Sequence, residues 1–409
     1  MERKRGVGMG TLAEFDPYDN APTDVAYDVM AELRSECPVA RLDTGFWYFS
    51  RYDDVAAALK DGGAKVKVFS HEGKNRATGV VVPENEKLLA EMEGARHIWL
   101  RRLLQTALHP RLIASSEPYI EKLCNELIDN FGDGDAEVDL VTAYGIPVPC
   151  KVLAHVLGLP EEDHERFRVW SDEVLNGSYP ALNRNERGEG LDGAHPEFSA
   201  YIDAISEDRR RHPRDDLFTR LVEAEVDGER LTTTERRVLI AMLIIAGNET
   251  TANLISNLLY RLVADPDAYR TVREDPGLIP RAVEESLRLD SPTLWQGRRT
   301  VAECTVAGTT IAAGERVILG LASANRTEEV FDDADDFRAD RANADRHVAF
   351  GGGAHFCPGA PLARLEGRVA VSTFLRRIPE ASLVPGYVRE KWQINWANGP
   401  RSLPVRLGR

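Results

Sequence analysis

Positive charge is scarce in this chain: 51 Lys and Arg face 66 Asp and Glu, a formal net charge of −15. Nucleic acids and anionic membranes both need a basic surface, to release phosphate counterions or to meet headgroups, so both are excluded as partners. The acidic surface serves solubility instead. Cysteines are few. Cys37, Cys124, Cys150, Cys304 and Cys357 are odd in number and form no Cys-x-x-Cys pair, which excludes a disulfide framework and a zinc site and suits a reducing cytoplasm. No apolar tract reaches the roughly eighteen residues of a membrane span. The opening residues carry Arg3, Lys4 and Arg5 with no apolar run behind them, which excludes a signal peptide. Residues 1–10 read as a disordered tail, with Met9 as an alternative start. Internal repeats and low-complexity tracts are also lacking. Residues 11–409 therefore read as a single domain, expected to be cytoplasmic and monomeric.

What is present is 43% hydrophobic residues, enough for a large core, set mostly at helical spacing. That spacing predicts amphipathic helices over Glu117–Phe131, His195–Arg211, Thr232–Ala264 and Pro280–Arg288. The run Phe46-Trp47-Tyr48-Phe49 followed by the pattern from Asp53 to Leu59 reads as strand then helix. Cys304 to Leu319 is a second β signal, with the turn Ala313-Gly314 between apolar runs. The fold class is mainly α and multihelical, with small β-sheets at the periphery.

The chemistry concentrates in Phe350-Gly351-Gly352-Gly353-Ala354-His355-Phe356-Cys357-Pro358-Gly359. Glycines let a backbone turn with positive φ and pass close to a large flat ligand, Phe350 supplies an apolar wall, and a buried thiolate persists only beside a cation such as iron. A lone cysteine is ordinarily a buried core residue. Here its neighbours point to one thiolate presented to haem iron, where an axial thiolate favours O–O cleavage.

The pattern Phe-x-x-Gly-x-x-x-Cys-x-Gly, continued by Ala360-Pro361-Leu362-Ala363-Arg364-Leu365-Glu366, resembles the haem-binding signature of the bacterial cytochromes P450, a soluble haem-thiolate monooxygenase family. The resemblance runs from Asp16-Pro17-Tyr18 through Ser323-Ala324-Asn325-Arg326 to Leu403-Pro404-Val405. It implies the P450 fold, haem b (iron protoporphyrin IX) as cofactor, and Cys357 as the iron ligand within a loop that includes Phe350, Gly351, His355 and Gly359. Two positions depart from the pattern. Pro358 stands where many relatives have an aliphatic residue with a backbone N–H, which removes one hydrogen bond from the thiolate and is expected to lower the haem reduction potential. Thr327 stands where Asp is frequent and is expected to affect only a turn.

A second signal is Ala246-Gly247-Asn248-Glu249-Thr250-Thr251, polar residues in the otherwise apolar run Val238 to Leu259. Gly247, and a Thr250 hydroxyl bonded to the carbonyl four residues back, predict a local widening or kink that opens a groove. On residue types alone, Glu249 points to solvent or pairs with an arginine and the helix is merely bent. The resemblance implies more: Glu249 and Thr250 form an acid-alcohol pair in which Glu249 relays protons and Thr250 hydrogen-bonds the oxygen being reduced. Glu replaces the Asp of many relatives.

Glu285-Ser286-Leu287-Arg288 places two charges on one helix face. Taken alone, that spacing is an ordinary surface pair. By resemblance it is the family's structural Glu-x-x-Arg element, with Arg341 as third partner, pinning the cysteine loop. The resemblance also assigns His97, Arg101, Arg298 and His355 to the haem propionates. Adjacent Arg299 competes with Arg298 for that role.

The family pattern draws the substrate pocket from parts of 71–94, 174–196, 239–250, 293–296 and 395–398. These contribute Leu243, Ala246, Thr293, Leu294, Trp295 and Trp396. The tryptophans either stack on a flat substrate or pack the wall, packing being favoured. The run 183–193 looks like a lid. The chain carries no reductase domain, so a ferredoxin or flavodoxin fed by an NAD(P)H reductase is expected to dock on the cysteine side, near Arg102, Arg346, Arg364 and Arg368. Three functions fit: oxygen insertion by hydroxylation or epoxidation of a medium-sized, largely apolar compound of secondary metabolism; oxidative coupling of aromatic substrates without insertion; and a non-catalytic haem ligand sensor.

Overall fold

The computed structural model describes residues 15–17, 27–63, 65–68, 83–132, 137–176, 191–391 and 396–408. The expected tail at 1–10 lies outside them, as do most of the predicted lid and the 71–82 part of the pocket. Helix dominates, and the main apolar core gathers around one long helix (Thr233–Ala264). Pro147–Leu157, Ile279–Leu289 and Ala360–Arg377 pack on it, and Glu117–Asp129 packs in turn on Pro147–Leu157 and Ala360–Arg377. We label the helices used below α1 (Tyr52–Lys60), α2 (Gly94–Ala107), α3 (Thr233–Ala264), α4 (Ile279–Leu289) and α5 (Ala360–Arg377).

Helix α3 starts where its sequence says it should. Thr232 Oγ1 accepts from the Glu235 N–H at 3.2 Å, and Glu235 Oε2 accepts from the Thr232 N–H at 3.0 Å, a reciprocal cap that satisfies two orphan donors. From there α3 is long and apolar enough to cross a membrane, but 78% of its apolar window is buried inside the fold. Such a helix, hydrophobic on nearly every side, is a core element.

The peripheral sheet has five strands, β1 (Val39–Arg41), β2 (Trp47–Phe49), β3 (Val66–Val68), β4 (Gln296–Thr300) and β5 (Arg316–Leu319), in the order β1-β2-β5-β4-β3. Side chains alternate across it. Phe49, Val317 and Leu319 form one cluster with Leu59 of α1 and Val348, just before the cysteine loop. The sheet therefore sets the height of that loop. The Cys304–Val306 and Thr309–Ile311 hairpin turns at Ala307 and Gly308, both at positive φ, and Gly314 at φ +87° makes the turn expected before β5. Thr327 does more than shape a turn. Its hydroxyl accepts from the Tyr52 N–H at 3.1 Å, capping α1.

Helix α5 carries a group its packing does not satisfy. Glu366 is 3% exposed, its Oε2 has no hydrogen-bond partner among the described residues, and burial pushes its carboxyl up to about 8. An acid whose folded pKa lies above its unfolded value favours the native state at low pH. That contribution fades as pH rises from the unfolded value toward about 8. Glu366→Gln keeps the shape and cannot ionise. Thermal unfolding at about pH 5 and pH 9 is expected to show equal stability at the acid end and a more stable variant at the alkaline end; parallel curves contradict this.

Candidate active site

The cysteine loop is a close-approach structure. Gly351 and Gly353 take φ of +70° and +59°, and a Cβ on Gly353 would sit 2.5 Å from the Leu59 carbonyl oxygen. Both positions require glycine. Gly352 is extended and Gly359 right-handed, so positive φ holds for two of these glycines and not for the others. The Cys357 N–H donates to the Phe350 carbonyl at 2.9 Å, which closes the loop. The phenylalanine ring lies half-buried beneath the Arg364 guanidinium, 4.6 Å away.

Burial raises the Cys357 thiol, while N–H groups of Gly359 and Ala360 and the charges of Arg101 and Arg364 pull it down. Those amides open α5, so the sulfur sits at the positive end of a helix. A thiol held up by burial ionises there only against a cation. Because Pro358 has no N–H, two backbone donors serve the sulfur where leucine allows a third. Pro358→Leu is therefore expected to raise the haem reduction potential; an unchanged or lower value in a potentiometric titration contradicts this.

Above the loop, His97 of α2 and His355 stack with ring centroids 4.1 Å apart. Nε2 of each ring is buried and lacks a hydrogen-bond partner among the described residues. His355 Nε2 lies 3.5 Å from Glu93 Oε1 without bonding geometry. Burial, then the neighbouring His355, lower His97 to about 4. Arg101, one turn along α2, is lowered by burial and raised toward its usual value by Cys357. The strand register decides between Arg298 and Arg299. Arg298 pairs with buried Val317, whereas Arg299 pairs with exposed Arg316 and Lys67. Paired residues share a face, so Arg298 points inward, where it shares a cavity with Glu93, Leu59 and His355. Burial lowers it to about 10, and among the described residues its guanidinium reaches Gly297 O and Gln296 Oε1. Two orphaned imidazole nitrogens and two arginines beside a thiol fit a haem with two propionates.

Helix α3 carries the second group. Every residue from Val238 to Leu259 is buried except Ala246, Gly247, Glu249 and Thr250. These four residues stand where the groove was expected, within a helix whose assignment is continuous from Thr233 to Ala264. Thr250 Oγ1 donates to the Ala246 carbonyl at 2.6 Å, as its position predicted. Burial alone pushes Glu249 up to about 7.

The side chains of Glu285, Arg288 and Arg341 meet. Glu285 takes both Nε and Nη2 of Arg288, at 2.7 and 2.8 Å, and Nε of Arg341 at 2.9 Å. All three are buried. Arg288 then reaches the carbonyls of Asn325, Ala334 and Asp336. Asn325 Oδ1 accepts from the Val348 N–H at 2.7 Å, which carries the hold to the cysteine loop.

Other expectations divide. Leu243 sits in the core, and Thr293 and Leu294 pair through their backbones with Ala397 and Trp396, whose side chain is half-buried. Leu294 and Trp295 pack against Met30 and Tyr27, and the Trp295 indole donates to the Pro17 carbonyl at 3.1 Å. The expected basic patch is mostly neutralised. Arg102 pairs with Asp227, Arg364 with Glu284 and Arg368 with Glu117, and Arg346 lies over Tyr52. Sequence reasoning also missed buried Asp290, which Arg261 holds bidentately at 2.6 and 2.8 Å.

The family model described as cytochrome P450 matches residues 26–276 and 277–378. The vitamin D(3) 25-hydroxylase of Pseudonocardia autotrophica is 37% identical, over 92% of this chain and 93% of its own. The polyketide biosynthesis cytochrome P450 PksS of Bacillus subtilis is 31% identical over 97% and 99%. The solved structure of CYP109E1 from Bacillus megaterium with testosterone superposes at a TM-score of 0.81, with 30% identity over 96% of this chain and 99% of that one.

Proposed function

Because the chain belongs to the cytochrome P450 family, a family of haem b monooxygenases that take electrons from redox partners, we propose that it hydroxylates or epoxidises a medium-sized, largely apolar compound of secondary metabolism. The observation that carries this reading is that four residues of α3, a carboxyl and an alcohol among them, are not buried in an otherwise buried run. A sensor has no need of a proton relay. Relatives named for polyketide biosynthesis and for vitamin D(3), and one solved with testosterone, support a bulky apolar guest.

When bound, haem b on a thiolate accepts electrons one at a time and favours O–O cleavage by electron donation from sulfur. Cys357 supplies that sulfur, its charge spread onto the Gly359 and Ala360 N–H groups. His97, Arg101, Arg298 and His355 hold the propionates with charge-assisted bonds. Glu249, near half-ionised at neutral pH, takes a proton from solvent at its carboxylate. It would pass the proton through ordered water to Thr250 Oγ1, which would present it at the open positions of α3. The electrons come from a ferredoxin or flavodoxin with its NAD(P)H reductase. The enzyme acts as a cytoplasmic monomer.

Turnover under isotopically labelled dioxygen tests the reaction class, with testosterone and polyketide-sized apolar compounds as first candidates. Insertion predicts one labelled oxygen in the product. A product that has lost hydrogen and gained no label assigns the chain to oxidative coupling.

A further inference from the structure

On α3, residues four apart share a face, so Glu249, Asn253 and Asn257 form a polar ridge one turn apart. Asn257 is fully engaged: its amide donates to the carbonyls of Asp290 and Asn398 at 3.0 and 2.9 Å, and its Oδ1 accepts from Arg389 at 2.8 Å. Asn253 is not. It is 2% exposed, and its Nδ2 has no hydrogen-bond partner among the described residues. The Asn253 amide is also held in place, because Gly399 packs so closely that a Cβ there would overlap it. A buried amide donor without a partner is costly, so Nδ2 takes a water or a nearby group that can turn toward it. One turn away, Glu249 faces the opening with no charged group acting on it among the described residues, since burial is the only cause of its shift.

The geometry points to Asn253 as a positioning residue for Glu249: its Nδ2 donates to the Glu249 carboxylate, directly or through one water, in the ionised state that the relay passes through. The donor has nothing to bind while Glu249 is protonated and gains a charge-assisted bond when it ionises. It therefore favours the ionised form and fixes one rotamer of a carboxylate that otherwise swings in an open groove. Gly399 belongs to the strip that carries Trp396, so a guest pressing on that strip also bears on the amide that aims the acid. This inference rests on the relay reading of Glu249.

The test titrates the Glu249 carboxyl itself by infrared difference spectroscopy on the haem-loaded protein, with Glu249→Gln identifying its band. Asn253→Leu removes the donor at nearly constant size, and Asn253→Asp keeps the shape while losing the donor on ionisation. Both are expected to raise the Glu249 midpoint, Asn253→Leu by about one to two pH units. The alkaline limb of the coupling of electrons to product should move with it, and Asn253→Leu should add nothing further in a Glu249→Gln background. A midpoint unchanged in both variants makes Asn253 a packing residue and overturns the inference while leaving the relay intact. A Glu249→Gln protein that couples electrons to product as well as the parent overturns the relay reading, and this inference with it.

Discussion

Glu249→Gln lowers the rate of product formation by about a hundred- to ten-thousand-fold, the range for a positioned acid-base group, while the haem content and substrate affinity stay at parent values. Burial alone sets the Glu249 carboxyl at about 7, so it exchanges protons near neutral pH, where an ordinary exposed glutamate is fully ionised. The sign follows. Below about 7 the carboxyl is mostly protonated and ready to deliver; above it the fraction falls about tenfold per pH unit. Coupling of consumed electrons to product in the parent enzyme should therefore decline on the alkaline side of about 7, and this limb should vanish in the glutamine variant. Parallel assays of dioxygen consumption and product across pH separate the relay from a loss of folding. An unchanged product rate in Glu249→Gln removes the relay role.

Arg288→Leu abolishes recovery of folded, haem-loaded protein. Arg288 and Glu285 are fully buried, each guanidinium nitrogen has a partner, and Glu285 keeps only Arg341 and the Arg338 N–H when Arg288 is removed. Removing one member of a buried ion pair costs about 3–5 kcal/mol, a large share of the roughly 5–15 kcal/mol that holds a typical domain together. The damage is also directed. Arg288 clamps three carbonyls of the 325–336 segment, and Asn325 bonds the Val348 N–H just before the cysteine loop. Arg368→Ala, which cuts a half-exposed pair with Glu117, serves as the comparison and should cost under about 1 kcal/mol. Equal haem occupancy and melting temperature in the two variants contradict the structural role of the triad.

The helices were legible because burial imposes a period on the sequence: Thr232 capping α3, and the run from Asp53 to Leu59 within α1, can both be read without coordinates. The cysteine loop was legible because the positive φ of Gly351 and Gly353 is a demand that glycine meets at little cost, so the backbone's shape is written in the residue type. Other features were not local. The choice between Arg298 and Arg299 depends on which residues lie across β4, and strand pairing joins segments far apart in sequence. Leu294 and Trp295 look like pocket residues by position. Their contacts with Met30, Tyr27 and Pro17 span more than two hundred and fifty residues of sequence. Thr327, Glu366 and Asn253 were illegible for the same reason. Each is an ordinary residue type whose meaning comes from what its neighbours leave unsatisfied.

The most direct test of thiolate ligation is the absorbance difference spectrum of the dithionite-reduced protein with and without carbon monoxide, recorded for the parent and for Cys357→His. A Cys357 thiolate on the iron predicts that the parent shows the long-wavelength Soret band from which the family takes its name, and that the variant shows only the shorter-wavelength band of a nitrogen-ligated haem. A parent spectrum already at the shorter wavelength, or one that Cys357→His leaves unchanged, would contradict the assignment of Cys357 to the iron.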